Sequence, residues 1–527
     1  MTKKLPIVFL FLALTAFDRP AQARNDPWVE VTSPHFKVSS DSGEKDARRM
    51  ARECEEIRAV FLADHPGLRV DGGRPLIVIA VKDEDALKVL LPDYWAEKDH
   101  VRPPGAYRSS NDEDFAVLRT DISVSNGVNP YYALYEDYVF SLLRLNYNTM
   151  PMWLRMGIAD YYGNTLIDGK YTEIGHPINW QISLLQRSPL IPLVDLLNAD
   201  YRSPLVNDRD KQSLFYAESW AIVHYLSLTP EIAKQDLLNK YLKDWRETGD
   251  STEAARRTFG DLKQFESKID DYARKLAFYS LRQSAVAKFS EKDYSVRPLS
   301  EAEALVVQAD FLQHTNHMPE AREMLKNALA VEPGLARVHE CMAVEKLAQH
   351  DNDAAEAEFQ QALKFDPSNY RSLFYLAELI FRRSGYATET LPELIRNLES
   401  ATQINPNFAP AYAFLSVAYR QQPQTKQKAL DAAVKAHQLE PAILAYVADV
   451  GDALIALDRD SDARAVRDTL NKDASTPAEK NISELFSKRL AHYENSAQQK
   501  SQETSAQASP VNVNPAPQPP PDQPQPW

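Results

Sequence analysis

The sequence predicts an α+β domain over residues 24–297, an all-α domain of repeated helix pairs over residues 298–480, a terminal helix over 481–495 and a disordered tail over 496–527. The first domain opens with two apolar runs typical of strands, "WVEVTSPHFKVSS" and "PLIVIAV", and continues with helical periodicity. In the second domain, prolines recur at intervals of 34 to 39 residues. The tail is rich in Gln, Ser and Pro and has almost nothing apolar to bury.

Within the first domain, "EKDARRMARECEEIRAVFLADHPG" lies between the two strand segments and predicts a helix that ends at Gly67. The segment "DFAVLRTDISVS" predicts a further strand. A helix should then begin at Asn129 and Pro130, because Asn is a favoured cap and Pro is favoured at the first helical position. From there to residue 297 the pattern is almost wholly helical.

The first 23 residues have the pattern of a secretory signal peptide. Lys3 and Lys4 precede an apolar stretch from Leu5 to Phe17, and Ala21 and Ala23 form a small-x-small cleavage site. The apolar stretch is shorter than a bilayer core of roughly 30 Å requires. We therefore expect export to the periplasm or beyond it, with no stable membrane span after cleavage. An uncleaved anchor is the alternative.

The net charge of -14 and the pI near 5.4 argue against nucleic acid or an anionic membrane as a partner. Phosphate contacts need clustered Lys and Arg, and the sequence has no such cluster. The two cysteines, Cys54 and Cys341, belong to different predicted domains, and their spacing does not establish a disulfide.

The second domain has the helix-turn-helix period of tetratricopeptide repeats. Prolines 333, 367, 406, 441 and 477 are spaced 34, 39, 35 and 36 residues apart. Small residues recur at repeat positions 8 and 20, where the two helices of one repeat approach closely, as at Ala343 and Ala355. The pattern predicts four repeats and a degenerate fifth.

Tetratricopeptide repeats stack into a superhelix whose concave groove is lined by the first helix of each pair, at positions 2, 5, 9 and 12. The groove should bind a protein or peptide with apolar residues flanked by charges. Packing of the first domain into the same groove is the alternative. The predicted groove residues are Arg337, Glu340, Arg371, Phe374, Glu378, Phe381 and Arg420.

Two helical segments of the first domain, "YYALYEDYVFSLLRLNY" and "MPMWLRMGIADYYGNT", resemble the paired helices of a gluzincin, a branch of the zincin metallopeptidases. Trp153, Leu154, Gly157, Ala159 and Asp160 match the second helix of that family. The resemblance extends over "LQRSPLIPLVDLLNADYRSP" and "LFYAESWAIVHYL". It is to secreted bacterial proteins that join such a domain to tetratricopeptide repeats, and it implies a zincin-like fold.

The same resemblance implies that the zinc ligands are missing. "YEDYV" aligns with H-E-x-x-H, so that Tyr135 and Val139 stand at the two histidines and Glu136 at the general base. Met156 stands at the third ligand. Catalytic zinc needs three protein ligands, and Glu136 without a metal cannot activate water sufficiently. We expect no catalysis and no cofactor, with Tyr135, Val139 and Met156 packed where a metal would lie.

Two alternatives stay open. One is a residual, metal-dependent peptidase that uses Glu136, with Asp160 as a second carboxylate if the fold brings the two together. The other is a purely structural component of the cell envelope. Among the histidines, His224 is expected to be a satisfied core residue. His314 and His317 are expected in the turn of the first repeat.

Overall fold

The computed structural model describes residues 27–72, 74–96, 102–110, 112–147, 149–474 and 476–507. The predicted signal peptide and residues 508–527 of the tail lie outside these ranges. The strands are β1 (Val29–Thr32), β2 (Lys37–Ser40), β3 (Leu76–Val81), β4 (Gly105–Ser109), β5 (Asp114–Arg119), β6 (Leu166–Ile167), β7 (Tyr171–Ile174), β8 (Leu281–Ser284) and β9 (Ser295–Pro298).

The helices of the first domain are α1 (Glu44–Asp64), α2 (Glu84–Leu90), α3 (Asp93–Ala96), α4 (Tyr132–Asn146), α5 (Met152–Gly163), α6 (Asn179–Arg187), α7 (Leu193–Leu197), α8 (Pro204–Asn207), α9 (Arg209–Leu228), α10 (Pro230–Ala233), α11 (Leu237–Thr248), α12 (Ser251–Phe259) and α13 (Leu262–Ala273). The predicted α+β character is confirmed. Helix α4 begins two residues after the predicted Pro130, because Asn129 first closes a turn by accepting a hydrogen bond from the Tyr131 amide.

Six strands form one sheet in the order β4-β5-β3-β2-β1-β9, and β6, β7 and β8 form a second sheet. The central strands β2, β3 and β5 are parallel, and the outer pairs are antiparallel. Strand β9 pairs with β1, with Val296 opposite Val31. The chain therefore completes the first sheet immediately before it enters the repeats.

The central strands β3 and β5 of the six-stranded sheet are buried on both faces. Side chains alternate along a strand, so neighbouring residues of β3 point to opposite faces. Val78 belongs to the core shared with α1 and α4, whereas Ile79 belongs to a core shared with the first repeat. In β5, Phe115 meets Phe311 of the repeat domain edge to face, with ring centroids 5.6 Å apart. The repeat domain thus covers one face of the first domain's sheet.

The repeat domain consists of stacked helix pairs. They are α14 (Glu301–His314), α15 (Met318–Val331), α16 (Ala336–Ala348), α17 (Asn352–Phe365), α18 (Tyr370–Ser384), α19 (Leu391–Ile404), α20 (Ala409–Tyr419), α21 (Lys426–Leu439), α22 (Leu444–Ala456) and α23 (Asp460–Asp473), followed by α24 (Pro477–Gln507). Ala309, Ala343, Ala355 and Ala377 are fully buried at the predicted small positions, which confirms the repeat pattern.

The fifth repeat, predicted to be degenerate in sequence, forms a helix pair, and Gly451 lies so close to α24 that an added Cβ would come within 2.4 Å of the Phe486 ring. The C-terminal end differs from the prediction in the length of its last helix. Helix α24 extends to Gln507, into the segment predicted to be disordered from residue 496. That segment, "SAQQKSQETSAQ", contains good helix formers and no proline, since the prolines begin only at Pro510.

Within the described ranges, no helix combines the length and the apolar character needed to cross a bilayer. Cys54 and Cys341 are both buried and free.

Candidate functional site

Helices α4 and α5 carry the three residues that the resemblance aligns with zinc ligands, and these residues lie in and beside the core. Val139 is fully buried, and Tyr135 is buried with its hydroxyl donating to Glu53 at 3.0 Å. Burial and the neighbouring Glu53 raise the pKa of the Tyr135 phenol well above its ordinary value. The phenol therefore stays protonated and is a poor zinc ligand. Met156 is half-buried against the same core.

The fold brings Glu136 and Asp160 together on α4 and α5, which the sequence alone could not establish. Asp160 is buried and accepts hydrogen bonds from the Tyr132 hydroxyl and from Gln181 Nε2, the latter at 2.7 Å. Burial raises the pKa of Asp160 to about 7. Burial and the charge of Asp160 raise the pKa of half-buried Glu136 well above its ordinary value. The pair therefore retains a proton near neutral pH.

His224 is a satisfied core histidine, as predicted. It has no exposed surface, and its Nε2 donates to the Gly175 carbonyl at 2.9 Å. The other ring nitrogen, Nδ1, accepts from the Tyr272 hydroxyl at 2.7 Å. Burial lowers the pKa of His224 to about 4, so the ring is neutral at physiological pH.

Half of the predicted groove is occupied by the first domain. Asp112 and Glu113, which we call the acidic pair, lie in the connection between β4 and β5 and are buried against α16 and α18. Arg371 Nη2 lies 2.9 Å from Asp112, and its Nη1 contacts Glu113. Arg337 Nη2 lies 2.8 Å from Glu113.

Residues on the repeat side complete this ion-pair cluster. Glu340 Oε1 lies 2.6 Å from Arg337 Nη1 and 3.1 Å from Arg371 Nε. Asp310 contacts Arg337 at 2.5 Å. Arg337, Glu340 and Arg371 are therefore not open to a partner here, and the alternative of interdomain packing holds for this half of the groove. His314 also meets the first domain, 3.4 Å from Asp112.

The charges of this cluster are unequally compensated. Burial would raise the pKa of Asp112, but Arg371 and His314 hold it well below its usual value. Burial raises the pKa of Glu113 to about 7 in spite of Arg337 and Arg371. Glu113, Asp310 and His314 present ligand atoms within 4.8 Å of one another, a spacing that a metal ion could use. Arg337 already pairs with both Glu113 and Asp310, and Arg371 with Glu113, so these carboxylates are compensated by cations and do not favour a metal.

The other half of the groove is open. Phe374, Glu378 and Phe381 line a depression of about 490 Å³ between the third, fourth and fifth repeats. The Phe414 ring meets Phe374 and Phe381 edge to face, with centroids 6.3 and 5.8 Å away. Phe381 is 39% exposed. The remaining lining residues are Arg382, Tyr386, Pro410, Ala413, Val417, Tyr446 and Asp449.

Sequence reasoning identified only part of this open half. Pro410, Ala413 and Val417 fall at positions 2, 5 and 9 of the fourth repeat, so the position rule used for the third repeat would have found them. Arg420, the one residue predicted from the fourth repeat, does not line the depression. It lies 3.0 Å from Asp452 and 3.9 Å from Asp449 of the fifth repeat.

No protein-family model matches the chain, and no curated protein sequence matches it. Among solved structures, Pseudomonas aeruginosa PilF is similar over 39% of this chain and 97% of its own, with 18% identity and a TM-score of 0.30. YrrB, a TPR protein with an unusual peptide-binding site, is similar over 36% and 92%, with 15% identity and a TM-score of 0.29. A thermophilic TPR protein of Thermus thermophilus is similar over 36% and 98%, with 16% identity and a TM-score of 0.28.

Proposed function

We propose that this chain is an exported scaffold protein in which a catalytically inactive, metallopeptidase-like domain supports a repeat domain that binds a polypeptide partner. The observation that carries the proposal is the half-open groove. The acidic pair closes its first half, and the aromatic depression around Phe381 is left exposed in its second half. Exposed aromatic side chains in a concave site are typical anchors for a bound peptide.

The chemistry of the depression indicates what the partner should present. The rings of Phe374, Phe381 and Phe414 line it and suit an apolar or aromatic side chain. Glu378 and Asp449 also line the depression, and burial raises the pKa of both carboxyl groups, to about 7 for Asp449. A basic residue next to the apolar anchor would favour the ionised form of both carboxylates. The proposed ligand is therefore an apolar residue flanked by a basic one.

Selection from a displayed library of random short peptides tests this function. The full chain should enrich peptides with an aromatic or aliphatic residue beside Lys or Arg. Phe381→Ala should weaken binding of the selected peptides by about tenfold or more, since anchors of this kind contribute most of the affinity. Phe365→Ala is the matched control, because Phe365 is 43% exposed at the end of α17 and does not line the depression. Failure to enrich any peptide would favour the purely structural alternative.

The residual peptidase is the second candidate, favoured only by the proximity of Glu136 and Asp160. The raised pKa of Glu136 disfavours the ionised carboxylate that a general base needs, so we expect no hydrolysis near neutral pH. Casein or peptide cleavage that chelators abolish and that Glu136→Gln also abolishes would establish the enzyme. Cleavage that survives Glu136→Gln would come from a contaminant.

Export is part of the proposal because Lys3, Lys4, the apolar stretch and the Ala21–Ala23 site have the order of a signal peptide. Amino-terminal sequencing of the chain from a periplasmic fraction should begin at Arg24. Retention of the full-length chain in the membrane fraction would favour the uncleaved anchor.

A further inference from the structure

A cavity of about 560 Å³ lies between the first domain and the repeats, separate from the aromatic depression. One wall is the outer face of α4, with Tyr138, Ser141 and Arg144, together with the segment that leads into β3. The opposite wall comes from three successive repeats. It contains Tyr370 at the start of α18, Asn405 and Asn407 in the turn before α20, and Glu440 in the turn before α22.

Direct contacts join the two domains at the edge of the cavity. Arg69 Nη2 donates to the Leu439 carbonyl at 3.0 Å, and Arg74 Nε lies 3.4 Å from Glu440 Oε1. The cavity is thus a built interdomain site, and neither domain alone forms it.

Most charges that line the cavity are paired. Arg58 Nη2 lies 2.7 Å from Asp71 Oδ1, and Arg74 lies 3.6 Å from Asp114. Arg144 is the exception: within the described residues, no carboxylate lies within ion-pair distance of it. Its guanidinium group therefore lines the cavity without an ion-pair contact, although the charge of Glu440 acts on it from a longer distance.

On the opposite wall, Glu440 forms an ion pair with Arg74 but is incompletely hydrogen-bonded. It is 6% exposed, and its Oε1 accepts no hydrogen bond from the described residues despite the nearby Arg74. Burial raises the pKa of Glu440, against the opposing effects of Arg74 and Arg144. A buried carboxylate without a full set of donors is costly, so this group is suited to an additional donor from a ligand.

We propose that the interdomain cavity binds a zwitterionic ligand, a free amino acid or a short peptide, with its carboxylate on Arg144 and its ammonium group on Glu440. Charge-assisted hydrogen bonds would reach Arg144, which has no ion-pair partner among the described residues, and the Glu440 oxygen that accepts no hydrogen bond. A simple anion would face Glu440 and Asp114, and a simple cation would face Arg58, Arg74 and Arg144. The volume lies within the range of roughly 300–1,000 Å³ typical of small-molecule sites.

Calorimetric titration of the full chain tests the proposal. The free probes are trialanine and alanine, and the blocked probes are N-acetylated trialanine and C-amidated trialanine. At least one free probe should bind, and each blocked form should bind about tenfold or more weakly than trialanine if the peptide is the ligand. Alanine bound more tightly than trialanine would identify the free amino acid as the source. No heat from either free probe would overturn the proposal.

Two variants assign the ends of the ligand. Arg144→Gln should weaken binding of the free probe, and amidation of the probe should then cause no further loss of affinity. In Glu440→Gln, acetylation of the probe should cause no further loss. Arg187→Gln, which removes an exposed cation of α6 outside the cavity, should leave affinity unchanged. Affinity unaltered in Arg144→Gln or Glu440→Gln would overturn the assignment. Should Glu440→Gln fail to fold by circular dichroism, the acetylated probe on the unmodified chain decides the same point.

Discussion

His224 shows how a single buried side chain couples this fold to pH. Its two hydrogen bonds, to the Gly175 carbonyl and from the Tyr272 hydroxyl, need one protonated and one unprotonated ring nitrogen. Protonation would add a second N–H that faces the Tyr272 oxygen and would place a charge in the core. Burial therefore lowers the pKa of the folded state to about 4, against 6.5 for the free side chain.

This shift predicts that the native state loses stability as the pH falls from 6.5 to 4. The unfolded chain takes up a proton on His224 at the higher pH, and the folded chain does so only at the lower, so acid favours unfolding in that window. The full contribution is about 3 kcal/mol. Urea denaturation across this range should give a steeper fall in the free energy of unfolding for the native chain than for His224→Gln.

The comparison with His224→Gln is needed because other groups titrate with the opposite sign. The raised pKa values of Asp160 and Glu113, each about 7, favour the folded state as the pH falls. These groups are present in both chains and cancel in the difference. Equal pH slopes for the two chains would contradict a neutral, buried His224.

At the scale of elements, the buried ion-pair cluster connects the β4–β5 connection to helix α18. Arg371 is 2% exposed and is the common partner of Asp112, Glu113 and Glu340. Its replacement leaves three carboxylates with reduced compensation in a buried site. Removal of one partner from such a network is far more costly than loss of a surface pair.

We therefore predict that Arg371→Met lowers the free energy of unfolding by about 3–5 kcal/mol. Arg383→Met on the same helix is the matched control. Arg383 is exposed and pairs with Glu356 and Asp353 at the surface, where solvent screens the charges, so its loss should cost far less than the loss of Arg371. Urea denaturation of each variant measures the loss in the free energy of unfolding. Similar losses for the two variants would mean that the ion-pair cluster contributes no more to stability than a surface ion pair.

The sequence predicted the elements that repeat and missed those that depend on distant contacts. The period and the small residues at Ala343 and Ala355 were sufficient for the helix pairs, because those residues act within one repeat. Asp112 and Glu113 lie in a polar connection that predicts an exposed loop, and their partner Arg371 is far away in the chain. Strand β9 is short and half-polar, so only its pairing with β1 reveals it.

The candidate site was predictable to a similar degree. The position rule identified Phe374, Glu378 and Phe381, which line the open depression. It also identified Arg337 and Arg371, and it could not show that the acidic pair covers them. Local pattern determines which side chains face the groove, whereas occupancy of the groove depends on how two domains meet.

At the scale of the whole molecule, the domain boundary near residue 298 divides the chain without dividing the core. The outward face of β3 and β5, with Ile79 and Phe115, is buried by α2 of the first domain together with α14 and its neighbours. Further along, Lys472 Nζ donates to the Arg246 carbonyl at 2.7 Å, so the fifth repeat also contacts the first domain. Stacked repeats alone would unfold by nearest-neighbour steps, but a shared core couples them to a common partner.

This coupling predicts that the two domains unfold in one transition. Six of the seven tryptophans belong to the first domain, so fluorescence reports that domain, while far-ultraviolet circular dichroism also reports the repeat helices. The two signals should give coincident urea midpoints. Leu398→Ala, a fully buried truncation in α19, should lower both midpoints together, through a loss of about 2–5 kcal/mol. The opposite result would be a lower dichroism midpoint with an unchanged fluorescence midpoint. It would show that the first domain folds without the repeats, and that the core between Phe115 and Phe311 contributes little to the stability of that domain.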